Sequence, residues 1–256
     1  MPKNRWVCLS HAADLTEQYL TRDDMRGSSP FMDEVNKHGQ SIGRKGAESR
    51  RRLMDATRKL IAVEPAHKIS ASSIARAAGL ASQTFYLYFK DIDEILLALS
   101  NEAGADMQDV HDALGAEWDT AAPEEQARRF IDAFTAYWDR HRAILTVRNY
   151  LSDSAHPAFL VVRQDAAIPL INAIANRMLA AHPDHDLDPK SAFARSVIIY
   201  SAIERMAARP ATLRQGAGSL STEDIEQAEA DILALLFTPA SASIKADSLL
   251  SARKQA

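Results

Sequence analysis

"SASSIARAAGLASQTFYLYF", residues 70–89, joins two short helical patterns through Gly79 and closes on an aromatic cluster. A helix-turn-helix needs a small residue in its first helix, where the second crosses closely, and Ala75 supplies it. Four positions on, the turn needs a residue that accepts positive φ, and Gly79 does so without steric cost. Ile74, Ala78, Leu80, Phe85 and Phe89 fall where both helices can anchor in a shared core. Between these anchors Ser82, Gln83, Thr84, Tyr86, Leu87 and Tyr88 are left at least partly outward. Such side chains can hydrogen-bond or make apolar contacts to base edges and phosphates. A glycine between helical turns suits any helical hairpin; the full set, with a basic helix before it, is far more specific.

Charge separates this region from the rest. Residues 44–90 hold ten Lys and Arg against three acids (Glu48, Asp55 and Glu64), a balance of +7 within a chain of net charge −4. A polyanion meets a surface rather than an average, so this asymmetry points to nucleic acid although the total does not. The bland reading of the same residues is a solvated helix face.

The remainder reads as helix after helix. Residues 47–63 keep Leu53, Ala56, Leu60 and Ile61 at helical spacing, and Pro65 closes the pattern. Ser70 suits an N-cap before 71–78, and Asp91 a second cap before one long apolar stripe running to Leu114. Further helices are expected near 123–140, 142–153, 157–181, 189–209 and 222–237, with turn-rich breaks between them. No alternating pattern competes, so the fold class is all-α. The expected organisation is a flexible or partly helical extension over 1–43, a DNA-binding unit over 44–92, a second helical unit over 93–238, and a loose tail over 239–256. Met25 and Met32 stand as alternative starts.

Residues 48–99, "ESRRRLMDATRKLIAVEPAHKISASSIARAAGLASQTFYLYFKDIDEILLAL", resemble the N-terminal domain of the tetracycline-repressor (TetR) family of transcriptional regulators. The specific signature is "IARAAGLASQTFYLYF", with Ile74, Ala75, Ala78, Gly79, Thr84, Tyr86 and Phe89 at the family's positions. Pro65 replaces the usual glycine, Ala81 the usual capping hydroxyl, and Ile92 a lysine that often meets phosphate, a contact Lys90 can supply. The resemblance implies a symmetric homodimer on a near-palindromic double-stranded operator, with a recognition helix at about 82–88 in the major groove. Gln83, Thr84, Tyr86 and Tyr88 are the expected readers of base or phosphate. Ser70, Ser72, Ser82, Lys90 and the cluster from Arg50 and Arg51 to Arg52 would position the backbone. For Tyr88 a core role competes with a DNA role, and one of the three arginines can be a plain solvated residue.

The later helices must then sense or assemble. Phe130, Phe134, Tyr137, Trp138, Arg148, Asn149, Phe159, Gln164, Ile168 and Asn172 form the expected lining of a pocket for a small, largely apolar effector. Aromatics at helical spacing equally suit plain core. Pro169 should kink or interrupt its helix, and such breaks often border cavities. Val197, Tyr200, Ile203, Ile225, Ile232 and Leu236 are the expected dimer contacts, on two helices more apolar than one buried face requires. The family's habit of repression, with the 91–114 helix as lever, completes the expected mechanism.

Other classes fit less well. Cys8 is the only cysteine, which suits a reducing cytoplasm and excludes an internal disulfide. There is no apolar leader, and no run approaches the ~18 apolar residues of a membrane span, so no membrane partner is expected. Glycine-rich phosphate loops, nucleophile elbows and two-histidine helix motifs are missing, so neither an enzyme nor a cofactor is expected. "HPDHDLD", with His182 and His185, reads as a polar loop rather than a metal site. The competing function is a protein of the same fold that binds only a ligand or protein partner; failure to capture genomic DNA would mark it.

Overall fold

In the computed structural model the described residues are 43–115, 122–182, 187–209 and 221–238. Two compact units are distinguished, Met1–Ala47 and Glu48–Ala256, the first described only over 43–47. The expectations for residues 1–42 and 239–256, and for His185, lie outside the described residues. Every regular element among the described residues is helical.

The first helix, α1 (Arg44–Val63), buries Leu53, Met54, Ala56, Thr57 and Ile61 and stops two residues before Pro65. A 3-10 turn (Ala66–Lys68) leads to α2 (Ala71–Ala77). Ser70 opens α2 with a reciprocal capping box: its Oγ accepts from the Ser73 N–H at 3.1 Å, while Ser73 Oγ accepts from the Ser70 N–H at 3.0 Å. α3 (Ser82–Tyr88) follows a four-residue turn and starts from Ala81 without a side-chain cap. Asp91 caps α4 (Ile92–Ala105), accepting from the Glu94 N–H at 2.9 Å. α5 (Gln108–Gly115), α6 (Pro123–Asp153), α7 (Pro157–Ala181), α8 (Pro189–Ala207) and α9 (Thr222–Phe237) complete the order. Three of these begin with proline, which gives up an N–H that a first turn leaves unbonded anyway.

α6 is the strut of the later helices and packs against α4, α5, α7, α8 and α9. Phe130, Ile131, Phe134, Tyr137, Trp138 and Leu145 bury its inner face. The expected break near residue 141 does not occur, and 31 residues run as one helix. His141 and Arg142 suit a helix boundary by type, but they bind sideways. His141 Nε2 lies 2.7 Å from Asp106 Oδ2, and Arg142 donates to the carbonyls of Ala207 and Arg209, both at 2.9 Å.

The single stripe expected from 91 to 114 is two helices instead. The chain turns at Asp106 (ψ 38°), whose carboxylate is held by His141 and by Arg140 at 3.4 Å. These partners hold the Asp106 carboxyl below its ordinary range, chiefly through the His141 hydrogen bond. Pro169 does not interrupt α7 either. It sits on the exposed side, where water can replace the donor it lacks. α7 also corrects the hydropathy expectation: its most apolar 18-residue window has mean hydropathy 1.4, long and apolar enough to cross a membrane by composition. Its Leu170, Ile174 and Met178 are buried in the core it shares with α6 and α8, and 33% of that window is buried in all.

Glu229 on α9 has a buried Oε1 without a hydrogen-bond partner. Burial first, and neighbouring Glu226 second, push its carboxyl from the ordinary 4.5 up to about 7. The folded state therefore keeps this proton to higher pH than the unfolded chain, and stability falls as pH rises from about 4.5 through about 7. Glu229→Gln is expected to melt with the parent near pH 4 and above it near about pH 8. Thermal scans across that range check the sign; equal melting temperatures throughout would remove the claim.

Candidate nucleic-acid interface

The turn between α2 and α3 is built from backbone bonds and one distant side chain. Ala78 N–H donates to Ile74 O at 2.9 Å, Gly79 N–H to Arg76 O at 3.0 Å, and Leu80 N–H to Ala75 O at 2.8 Å. Closing the helix this way puts Gly79 at φ +65°, the left-handed region that glycine enters freely. From α1, Arg52 donates an N–H to Ala78 O at 2.5 Å and reaches Gly79 O at 3.4 Å. A Cβ on residue 79 would lie 3.0 Å from that guanidinium. Arg52 thus satisfies carbonyls that the end of α2 leaves open.

Phe85 and Phe89 fix α3 from below. Both are buried with Ile74 and Ala75, and their rings lie 5.7 Å apart. Opposite them Ser82, Gln83, Tyr86 and Leu87 are exposed, Tyr86 by 49 % and Leu87 by 53 %. Thr84 is half-buried, and so is Tyr88, which packs against the core. Of the two tyrosines, Tyr86 is therefore the one offered outward. Ser70 and Ser72 are exposed, but Ser70 Oγ is engaged in the cap and lies 3.0 Å from Ser72 Oγ.

The three consecutive arginines diverge, as residues about 100° apart on a helix must. Arg50 lies over the Phe89 ring at 5.1 Å and donates to Met54 Sδ at 3.2 Å. Arg52 holds the turn. Arg51 is exposed, 84 % at its side chain, with Asp55 at 4.0 Å. Lys90 is comparably open at 83 %, with Asp91 at 3.9 Å. Arg52 as a turn-holder escapes a reading of the sequence, because the contact spans 26 residues and leaves no local trace.

Most of the expected effector residues are buried in the core. Phe130, Phe134, Tyr137, Trp138 and Phe159 are fully buried, and Phe134 stacks edge-on with Tyr200 at 5.9 Å. Arg148 is buried, donating to Asn149 Oδ1 at 3.0 Å and to Glu204 at 3.4 Å. Gln164, Ile168 and Asn172 are half-buried on α7. None of these lines the large cleft, which opens between α1, α4 and α6. Among the expected dimer residues Tyr200 and Ile203 are corrected: both are buried within one chain. Val197 and Ile232 are exposed, and Ile225 and Leu236 half-buried. Ile198, 71 % exposed, and Leu235, 69 %, are the apolar side chains that stand out. Among the described residues no cluster of three His, Cys, Asp or Glu could hold a metal, and His182 instead lies 3.0 Å from the Leu236 carbonyl.

A glycine-hinged helix pair with an outward polar face on a basic unit defines a helix-turn-helix DNA-binding regulator. Residues 53–99 match the family model of bacterial regulatory proteins of the tetR family. Residues 53–99 thus carry a TetR-family DNA-binding domain. The fold of the chain is similar to that of the fatty acid degradation regulator FadR from Bacillus halodurans, at 17% identity over 77% of this chain and 96% of that one, with a TM-score of 0.55. It is likewise similar to FadR from Bacillus subtilis, solved with stearoyl-CoA (17% identity, 73% and 97% covered, TM-score 0.55). PfmR from Thermus thermophilus is a third (19% identity, 71% and 96% covered, TM-score 0.51). No curated protein matches the chain by sequence.

Arg52→Ala is expected to lower the melting temperature and weaken binding to every DNA sequence while leaving the salt dependence unchanged. Arg51→Ala should instead flatten the plot of log affinity against log salt, by about 0.9 for each phosphate it no longer neutralises. Titrations at several salt concentrations separate the two; a shallower slope for Arg52→Ala would make it a phosphate contact. Gly79→Ala should cost about 1–2 kcal/mol in unfolding free energy, because alanine is strained at left-handed φ.

Proposed function

We propose that the chain acts as a dimeric, cytoplasmic repressor whose two recognition helices read a near-palindromic operator, and that a small, largely apolar effector releases it. In this reading residues 44–92 carry the DNA contacts, and 93–238 carry the dimer contacts and much of the effector site. The observation that carries it is the α3 face. Ser82, Gln83 and Tyr86 lie open on a helix whose opposite side is locked by Phe85 and Phe89. Gln83 and Thr84 read bases and Tyr86 reaches base or phosphate, while Ser72, Ser82, Arg51 and Lys90 position the backbone.

Dimerisation is supported by α8 and α9. Each leaves large apolar side chains in water, Val197 and Ile198 on one and Ile232 and Leu235 on the other. The same two helices from a second copy would cover them in a four-helix interface. Release requires the effector to bind the DNA-incompetent arrangement more tightly than the competent one. The fold has room for a long apolar chain, since B. subtilis FadR was solved with stearoyl-CoA.

Selection of bound fragments from a genomic pool is expected to recover a near-palindromic site, and Gln83→Ala to change its sequence preference. Recovery of no DNA would overturn the regulator reading. Light scattering should give a dimer at micromolar concentration, split by Ile198→Glu or Leu235→Glu with little loss of folded structure, because both side chains are exposed within one chain. A parent that runs as a monomer would overturn the dimer.

A further inference from the structure

We infer that the cleft between α1, α4 and α6 is the effector site, and that its ligand is an amphipathic organic anion; the regulatory part of this rests on the reading above. The cleft holds about 970 Å³, at the upper end of small-ligand sites. One wall comes from the end of α1, the 3-10 turn and the start of α4; the other comes from the middle of α6. Ile61, Ile92 and Leu96 line the first wall, and Ile144, Val147 and Leu151 the second. Apolar surface on both sides calls for a ligand with an apolar body.

The charged lining selects the head group. Arg58, Arg140 and His141 line the cleft, whereas their carboxylate partners Asp55, Glu102, Asp106 and Asp109 do not. Held from outside the cavity, these groups keep their orientation without occupying it. A guanidinium has five N–H donors, so a ligand carboxylate can share it with a protein one. The carboxylates that do line the cleft are mostly matched. Asp139 is bound by Arg142, and Asp93 lies 3.4 Å from His156 Nε2. Glu64 stands exposed at the end of α1, and His67 of the 3-10 turn adds an imidazole to the same wall.

The position of the cleft gives it a consequence for DNA. Its walls belong to elements that flank the recognition unit on one side and to the central strut on the other. An occupant touching both sets their separation and, through α4, the placement of α3. By linkage, whatever factor the ligand takes from DNA affinity, DNA takes from ligand affinity.

Two variants fill the cleft from opposite walls at exposed positions, Ala62→Trp and Thr146→Trp. Calorimetric titration of the full chain with dodecanoate and dodecylammonium, below their micelle concentrations, tests the inference. Expected are one dodecanoate per chain, tighter than dodecylammonium, and at least about tenfold weaker in both tryptophan variants at parental melting temperature. Arg140→Gln should weaken dodecanoate several-fold and leave dodecylammonium unchanged. Failure of dodecanoate to bind the parent, parental affinity in both tryptophan variants, or tighter binding of the ammonium would each overturn the assignment. Genomic selection on the parent keeps the two readings apart. If DNA is recovered while the tryptophan variants titrate like the parent, the cleft assignment alone falls. If no DNA is recovered but dodecanoate titrates into the cleft, the ligand site stands and the repressor reading falls.

Discussion

The guanidinium of Arg52 against the carbonyls of Ala78 and Gly79 joins the helix that carries the charge to the turn that sets the direction of α3. A left-handed glycine can end α2, but by itself it leaves carbonyls unbonded and the departure angle of α3 loosely held. The arginine supplies both the missing donor and a tie to α1, whose Leu53 and Met54 are buried beside it in sequence. The arginine run thereby divides its work by direction. One side chain lies over Phe89, one holds the turn, and one faces solvent with its charge available to a phosphate. A count of cations therefore overstates how many of them meet DNA.

Beyond the reading unit, order is imposed by polar groups that reach out from α6. His141 pins the end of α4, and Arg142 satisfies carbonyls at the end of α8. Arg148 and Arg163 converge on Glu204, with Arg163 at 2.5 Å and also donating to Asp153 at 2.6 Å. Glu204 is almost fully buried, so the two guanidinium groups offset a desolvation that would otherwise exclude a carboxylate from the core. Beside them the Tyr137 hydroxyl is buried near Arg148, and burial pushes its ionisation upward. Such a network contributes less to stability than an apolar core of equal volume, but it fixes which helix faces meet.

What the chain reveals in one dimension divides along the range of its interactions. The caps at Ser70 and Asp91, the stop before Pro65, the helix at 82–88 and the bounds of α7 and α9 rest on neighbours within a few residues, and all are legible. The turn at Asp106 is not, because Met107, Val110 and Leu114 continue the apolar stripe and the deciding partner is 35 residues away. The continuity of α6 is hidden for the same reason. On α8, periodicity cannot say which of Val197, Ile198, Ile199 and Tyr200 face inward, since all four are apolar; packing buries the last two. The aromatic set from Phe130 to Phe159 shows its apolarity but not how closely it packs, and the open cavity forms where three distant segments meet.

Two histidine–aspartate contacts constrain how a signal can pass from the later helices to α3. Near its start, α4 carries Asp93, 3.4 Å from His156 at the corner between α6 and α7; just past its end, Asp106 meets His141 at 2.7 Å. The corner itself holds Ala155 at φ 62°, a strained value for alanine. Clamped near both ends to one scaffold, α4 cannot slide along its axis without breaking a pair. Motion that keeps both pairs is a joint tilt of α4 with α6 against α1, which changes the width of the cleft on its α1 side and carries along Phe89 and Ile95, both buried in the core. On the proposed reading α4 and α6 move as one clamped body, and the cavity at its root is where the proposed effector would act on it.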